Sequence, residues 1–224
     1  MKIHTHYTDK NGKEKPLIQG TDEWLDVRAG RPTASRYKDI CTAKTGALSA
    51  SHVGYMCELV EESIFPTYAT GDEFISEAMA HGILFEPEAR KFYDKLTGYK
   101  TDEVGFCTMD TGICGMSPDG LVTVEPLMGY NHGLEIKCPQ PKTHIRYAYD
   151  NKLPDSHKQQ VHGCCMVVSG LDRWDFLSYH PDMGHLLVEV HRDEYTEKLE
   201  AALEEFTVKY AEFREKILPK LKTS

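Results

Sequence analysis

The tetrapeptide Ser117-Pro118-Asp119-Gly120 is followed, after one short excursion, by Leu134-Glu135-Ile136-Lys137-Cys138-Pro139. This pair constrains the fold more than any other feature of the chain. Leu121-Val122-Thr123-Val124 has the alternation and β-branched content of a short strand. Residues 125–133 contain Pro126, Gly129, Asn131 and Gly133, which punctuate a turn. Residues 133–138 read as a returning strand. Side chains two apart on a strand share a face, so Glu135 and Lys137 point one way and Ile136 the other. A hairpin return brings that face beside Asp119. Two carboxylates and a lysine then converge, giving hard oxygen donors of the kind Mg²⁺ prefers next to a fixed cation. The same short pattern also occurs by chance in surface hairpins with ordinary charged residues.

Length and composition bound the alternatives. The chain has 224 residues, 40% hydrophobic and 27% charged, which suits one domain with a substantial core. The expected domain is residues 1–224, with a polar arm at 1–20. A net charge of −9 excludes a general coat for nucleic acid but is compatible with a local basic channel. No apolar run approaches membrane-spanning length and no secretory segment opens the chain, so the expectation is a cytoplasmic protein without a membrane partner. The seven cysteines are scattered, never form C-x-x-C, and read as free thiols of a reducing compartment. The eleven histidines form neither H-x-x-x-H nor H-E-x-x-H.

Element signals run along the chain. Thr21 reads as an N-cap before a short helix through Trp24, Leu25 and Arg28, ending near Gly30. A second helix is expected at 36–41, an exposed loop at 42–51, and helices at 53–65 and 74–96, the last ending at Gly98. Strands are expected within 104–115 and at 173–179 and 185–191, and a mostly apolar helix at 157–168. Residues 193–218 read as a long amphipathic helix whose glutamates place it against solvent or a neighbouring subunit. Helices flanking a block of strands predict an α/β fold with a central mixed sheet.

Three further groups of residues bear on function. Glu86, within the helix at 74–96, is either a third carboxylate beside the hairpin or a solvent-facing glutamate. Pro87 after it removes a helical hydrogen bond and predicts a kink. The run from Trp24 to Ser35 places arginines and hydroxyls at helix termini, a composition that serves phosphate binding or plain capping and ion pairing. Gln160 opens the apolar helix and is either a polar-face residue or a group that holds a water or a phosphate oxygen.

In order, these segments resemble the phage lambda exonuclease family of viral recombination exonucleases, within the PD-(D/E)xK class. The resemblance covers W-x-x-x-R-x-G-x-x-T-A-S at Trp24 to Ser35, G-x-x-x-E at Gly82 to Glu86, S-P-D-G at Ser117 to Gly120, L-E-I-K-C-P at Leu134 to Pro139, and Gln160. It implies a restriction-endonuclease-like core and a Mg²⁺-dependent 5′→3′ exonuclease on double-stranded DNA, with two metal ions per site and Mn²⁺ as a substitute. By the same resemblance, Asp119, Glu135, the carbonyl of Ile136 and Glu86 are metal ligands, and Lys137 and Gln160 attend the attacking water. Arg28, Ser35 and Ser117 would hold a terminal 5′-phosphate, and Leu48 is the candidate for separating strands. His162 stands where the family has a second glutamine. A homotrimeric ring and a phage single-strand annealing protein are the implied partners. The rival readings are an endonuclease or junction resolvase on the same core, and a non-catalytic DNA-end-binding protein.

Overall fold

The computed structural model describes residues 1–66, 76–125, 129–164 and 169–221. Its centre is a five-stranded sheet in the order β10-β9-β8-β7-β4. The strands are β4 (Lys100–Asp102), β7 (Gly120–Thr123), β8 (His132–Lys137), β9 (Arg173–His180) and β10 (Gly184–His191). All neighbours are antiparallel except β8 and β9, which run parallel with Glu135 opposite Phe176 and Lys137 opposite Ser178. The sheet is therefore mixed, as the sequence predicts. Beside it lie a three-stranded sheet and a two-stranded hairpin. The first joins β1 (Lys2–His4), β5 (Phe106–Thr108) and β6 (Gly115–Met116), and the hairpin joins β2 (His6–Thr8) to β3 (Glu14–Pro16).

Alternation along the central strands divides two apolar clusters. Leu134 and Ile136 on β8 join Val122, Leu177 and Tyr179, with Ala89 and Tyr93 of helix α4 (Glu77–Thr97) laid over them. Trp174 and Phe176 of β9 belong to the larger cluster. It includes residues of α2 (Tyr37–Ile40), α3 (His52–Ile64), α6 (Lys158–His162) and α7 (Glu194–Leu221). Helix α5 (Pro141–Asp150) also lies on this side, where His144 bonds Ser178 at 2.8 Å. Trp174 and Phe176 are both fully buried, each contributing on the order of 4 kcal/mol by area.

The helix boundaries follow local chemistry. Thr21 caps α1 (Asp22–Arg28) by accepting from Trp24 N, and Gly30 leaves it at φ +67°. Ser76 caps α4, which ends at Gly98 with φ +74°; the expected start at Phe74 lies outside the described residues. The helix continues through Pro87. The expected helix at 36–41 is a 3-10 turn at Ala34–Arg36 leading into α2. The expected helix at 157–168 is a 3-10 turn at Asp155–His157 followed by α6, and residues 165–168 lie outside the described set. Helix α7 differs from its expected solvent-facing role. Tyr195, Leu199, Ala202, Leu203, Phe206 and Tyr210 recur at helical spacing and are buried, so one whole face is core while the glutamates occupy the other.

Candidate active site

The hairpin does what its sequence predicts. Asp119 immediately precedes β7, Gly120 pairs with Leu134, and the Asp119 carboxylate accepts a 2.6 Å hydrogen bond from the Ile136 backbone N–H through Oδ2. Glu135 is buried, and its Oε1 accepts from Lys137 Nζ and, at 2.6 Å, from Gln160 Nε2. Gln160 arrives from α6, the end of the crossover that makes β8 and β9 parallel. Glu135 Oε2 is buried with no hydrogen-bond partner among the described residues. That orphaned oxygen carries a desolvation penalty which an additional ligand or cation would relieve.

Helix α4 brings Glu86 to the same end of the sheet, but through an intermediary. Arg90, nine-tenths buried, donates from Nε to the Asp119 main-chain carbonyl at 2.8 Å and from one terminal nitrogen to Glu86 Oε1 at 2.7 Å. Its other terminal nitrogen binds Glu103. Arg90 was not singled out in the sequence, although the i,i+4 spacing from Glu86 marks an ion pair.

The electrostatics record three acids crowded together. Burial pushes the Glu135 carboxyl up to about 7 against the pull of Lys137, and Asp119 adds to the rise. Burial and then Asp119 push Glu86 up to about 7. Asp119 is also raised, by burial. Burial disfavours the Lys137 charge, but Glu135 and Asp119 outweigh it and the ammonium is held more firmly than usual. Among the described residues no group of three or more His, Cys, Asp or Glu is disposed to hold a metal ion. The reason is visible in the bonding: Glu86 is turned to Arg90, Asp119 to the Ile136 N–H, and Glu135 to Lys137 and Gln160. The donor chemistry nevertheless fits a hard divalent cation, because the acids are all-oxygen ligands and Glu135 Oε2 is buried and unpaired.

The residues expected to take a phosphate come together. A cavity of about 200 Å³ is lined by Arg28, Ser35 and Ser117 together with Gln160, Trp24 and Gln19. The Arg28 guanidinium carbon stands 4.0 Å from the centre of the Trp24 ring, and its terminal nitrogen lies 3.5 Å from Thr33 Oγ1. Trp24 Nε1 donates to Ser117 Oγ and to the Gly105 carbonyl, both at 3.0 Å. Gln19 was also missed, having no local signal; its amide donates to the carbonyls of Val104 (2.8 Å) and Pro118 (3.0 Å).

Two residues stand apart from this group. Leu48 is bridged to Cys41 and half-buried against the main core. The loop expected to be exposed at 42–51 is tied down by bonds such as Ser49 N to Ile40 O at 2.7 Å. His162 is buried and bonds Thr196 at 2.8 Å, so it faces α7.

The mixed sheet flanked by helices, with an acidic site at its end, is the fold of the exonucleases that this chain matches. A YqaJ-like viral recombinase domain matches residues 23–172, more than half of the chain, and the protein belongs to that family. The chain is similar in structure to an alkaline exonuclease, LHK-Exo, from Laribacter hongkongensis. The two share 32% identity at a TM-score of 0.68, covering 90% of this chain and 100% of the other. The same protein in complex with dAMP matches at 32% identity and a TM-score of 0.67, with the same coverage. A phage-related exonuclease from Haemophilus somnus 129PT has the same fold at 13% identity and a TM-score of 0.60, covering 84% and 96%. No curated protein matches the chain. Among the described residues, no helix is long and apolar enough to cross a membrane.

Proposed function

We propose that this protein is a Mg²⁺-dependent exonuclease. It digests one strand of double-stranded DNA in the 5′→3′ direction, releases 5′-mononucleotides, and leaves 3′ single strands for annealing by a partner protein. The observation that carries this reading is the Gln160 side chain. It bonds Glu135 of the acidic site and also lines the cavity of Arg28, Ser35 and Ser117. The acidic site and the cavity that would hold the phosphate are thus adjacent, which supports removal of terminal nucleotides.

Asp119, Glu135, the Ile136 carbonyl and Glu86 would hold two Mg²⁺, with Mn²⁺ as a substitute. When bound, such ions supply Lewis-acid stabilisation of the phosphate and a water of lowered pKa. The chain's own residues do the rest. Lys137 sets a permanent positive charge beside the scissile phosphate, where negative charge grows in the transition state. Gln160 fixes the orientation of the Glu135 carboxylate. Arg28 and the two hydroxyls grip the terminal phosphate by charge-assisted bonds, so that cutting falls one nucleotide in. Linear DNA would pass through a homotrimeric ring, which compensates for the chain's net charge of −9 by enclosing its substrate. Light scattering is expected to give three times the monomer mass.

Digestion of linear duplex with and without 5′-phosphate tests the reading. The phosphorylated end is expected to start about tenfold faster, and Arg28→Ala to remove most of that advantage. Covalently closed circles are expected to survive. Cleavage of circles would make the protein an endonuclease, and absence of Mg²⁺-dependent turnover would make it an end-binding protein.

A further inference from the structure

We propose that Arg90 is a positioning residue for the metal-binding acids, acting through its guanidinium fork as a strut between α4 and the Pro118-Asp119 turn. The inference rests on the nuclease reading above and adds to it a residue that touches neither DNA nor metal.

Three observations converge on it. First, Arg90 is nine-tenths buried, although arginine is among the residues least often found so. Second, its nitrogens reach three separate segments: the Asp119 carbonyl at 2.8 Å, Glu86 on its own helix at 2.7 Å, and Glu103 after β4. Third, Asp119 is thereby gripped at both ends, its carbonyl by Arg90 and its carboxylate by the Ile136 N–H. The rigid planar fork fixes direction as well as charge, which a lysine ammonium does not.

The arrangement solves a specific problem. Glu86 and Asp119 sit on different elements, α4 and the turn before β7, and only a tie between those elements fixes one against the other. Without such a tie the two acids are free to drift apart. The guanidinium neutralises Glu86 through Oε1 alone and clamps the turn that carries Asp119. Both acids are thus tied through one side chain to a common frame, the Asp119 turn on one side and the α4 carboxylate on the other. Residues that orient ligands from behind in this way typically govern metal affinity by 10–100-fold.

The test is calorimetric titration of Mg²⁺ into the wild type, Arg90→Lys and Arg90→Gln proteins, with kcat and KM measured on linear duplex. Both variants are expected to bind Mg²⁺ about tenfold or more weakly and to lose kcat in step, with KM for DNA unchanged. Arg90→Lys keeps the charge and serves if Arg90→Gln does not fold. It is expected to be as impaired, because the fork and not the charge alone positions the acids. Wild-type Mg²⁺ affinity in a folded Arg90→Lys protein overturns the proposal. So does a raised KM at unchanged kcat, which would place Arg90 against DNA. If the wild type itself neither binds nor uses Mg²⁺, the nuclease reading falls instead, and that outcome is read from the wild-type titration before any variant is made.

Discussion

Two buried acidic clusters share the central sheet and differ in almost every electrostatic respect. Asp175, on β9, is fully buried, yet its carboxyl sits at about 2: burial opposes the charge, but hydrogen bonds from His132, Arg173 and Tyr93 outweigh it. Both Asp175 oxygens are taken, Oδ1 by Arg173 at 2.8 Å and Oδ2 by Tyr93 at 2.6 Å. Glu135, on the adjacent strand β8, has one oxygen bonded and one stranded, and its carboxyl rises to about 7. Burial is the same for both; the difference lies in how many donors surround each acid. A saturated cluster cements the fold, whereas Glu135, bonded to Lys137 and Gln160 through Oε1 alone, keeps a buried oxygen open to a further cation.

The largest expected effect separates the two clusters by activity. Glu135→Gln is expected to cut Mg²⁺-dependent turnover by about 10³-fold and to cost less stability than Asp175→Asn, since Lys137 loses its charged partner but the unbonded Oε2 loses its charge. A large fall in melting temperature would place Glu135 with Asp175 as a structural acid. The converse change, Asp175→Asn, is expected to cost about 3 kcal/mol in denaturant unfolding, because Arg173 keeps its charge and is left with the exposed Glu189 as its acidic partner. Its residual folded fraction is expected to turn over normally. Turnover lost without any loss of stability would erase the distinction.

A smaller effect samples the field of the unsaturated cluster from outside. His157 stacks on Phe176 and is held down to about 4, first by burial and then by the positive charges of Lys137 and Lys38. A histidine depressed in the native state binds its proton more readily when unfolded. Its contribution is therefore complete above about 6.5 and is lost as pH falls from there towards about 4. His157→Phe is expected to flatten the stability profile across that window, by on the order of 2 kcal/mol, with little change at pH 8. An unchanged acid limb in the variant would show that other groups set it.

The P-D and E-x-K segments were legible because a hairpin is local: turn residues, alternation and face-sharing sit within twenty residues of one another. The strand at 173–179 was legible too, but its parallel pairing with β8 was not, because the β8–β9 register is set by a crossover through α5 and α6 and leaves no mark in either strand. Helix α5 was not among the expected elements, although Pro141 at its first turn is a start signal. The buried stripe of α7 was present in the spacing of Leu199, Leu203, Phe206 and Tyr210, but its many glutamates drew the reading outward. Arg90 and Gln19 work through main-chain carbonyls of distant segments, and no pattern in a sequence records which carbonyl an arginine or glutamine will meet.

The tie between Gln19 and the Pro118 carbonyl bears on how the protein can be handled at the bench. Residues 1–20 look expendable and precede the matched stretch 23–172, yet β1 is an edge strand of the β5–β6 sheet and Leu17 is buried. The amino terminus itself reaches Asp110 at 3.1 Å. A chain trimmed to 23–172 would forfeit that strand, the brace under the Asp119 turn and all of α7. Limited proteolysis that nicks this segment is accordingly expected to silence the enzyme from a distance.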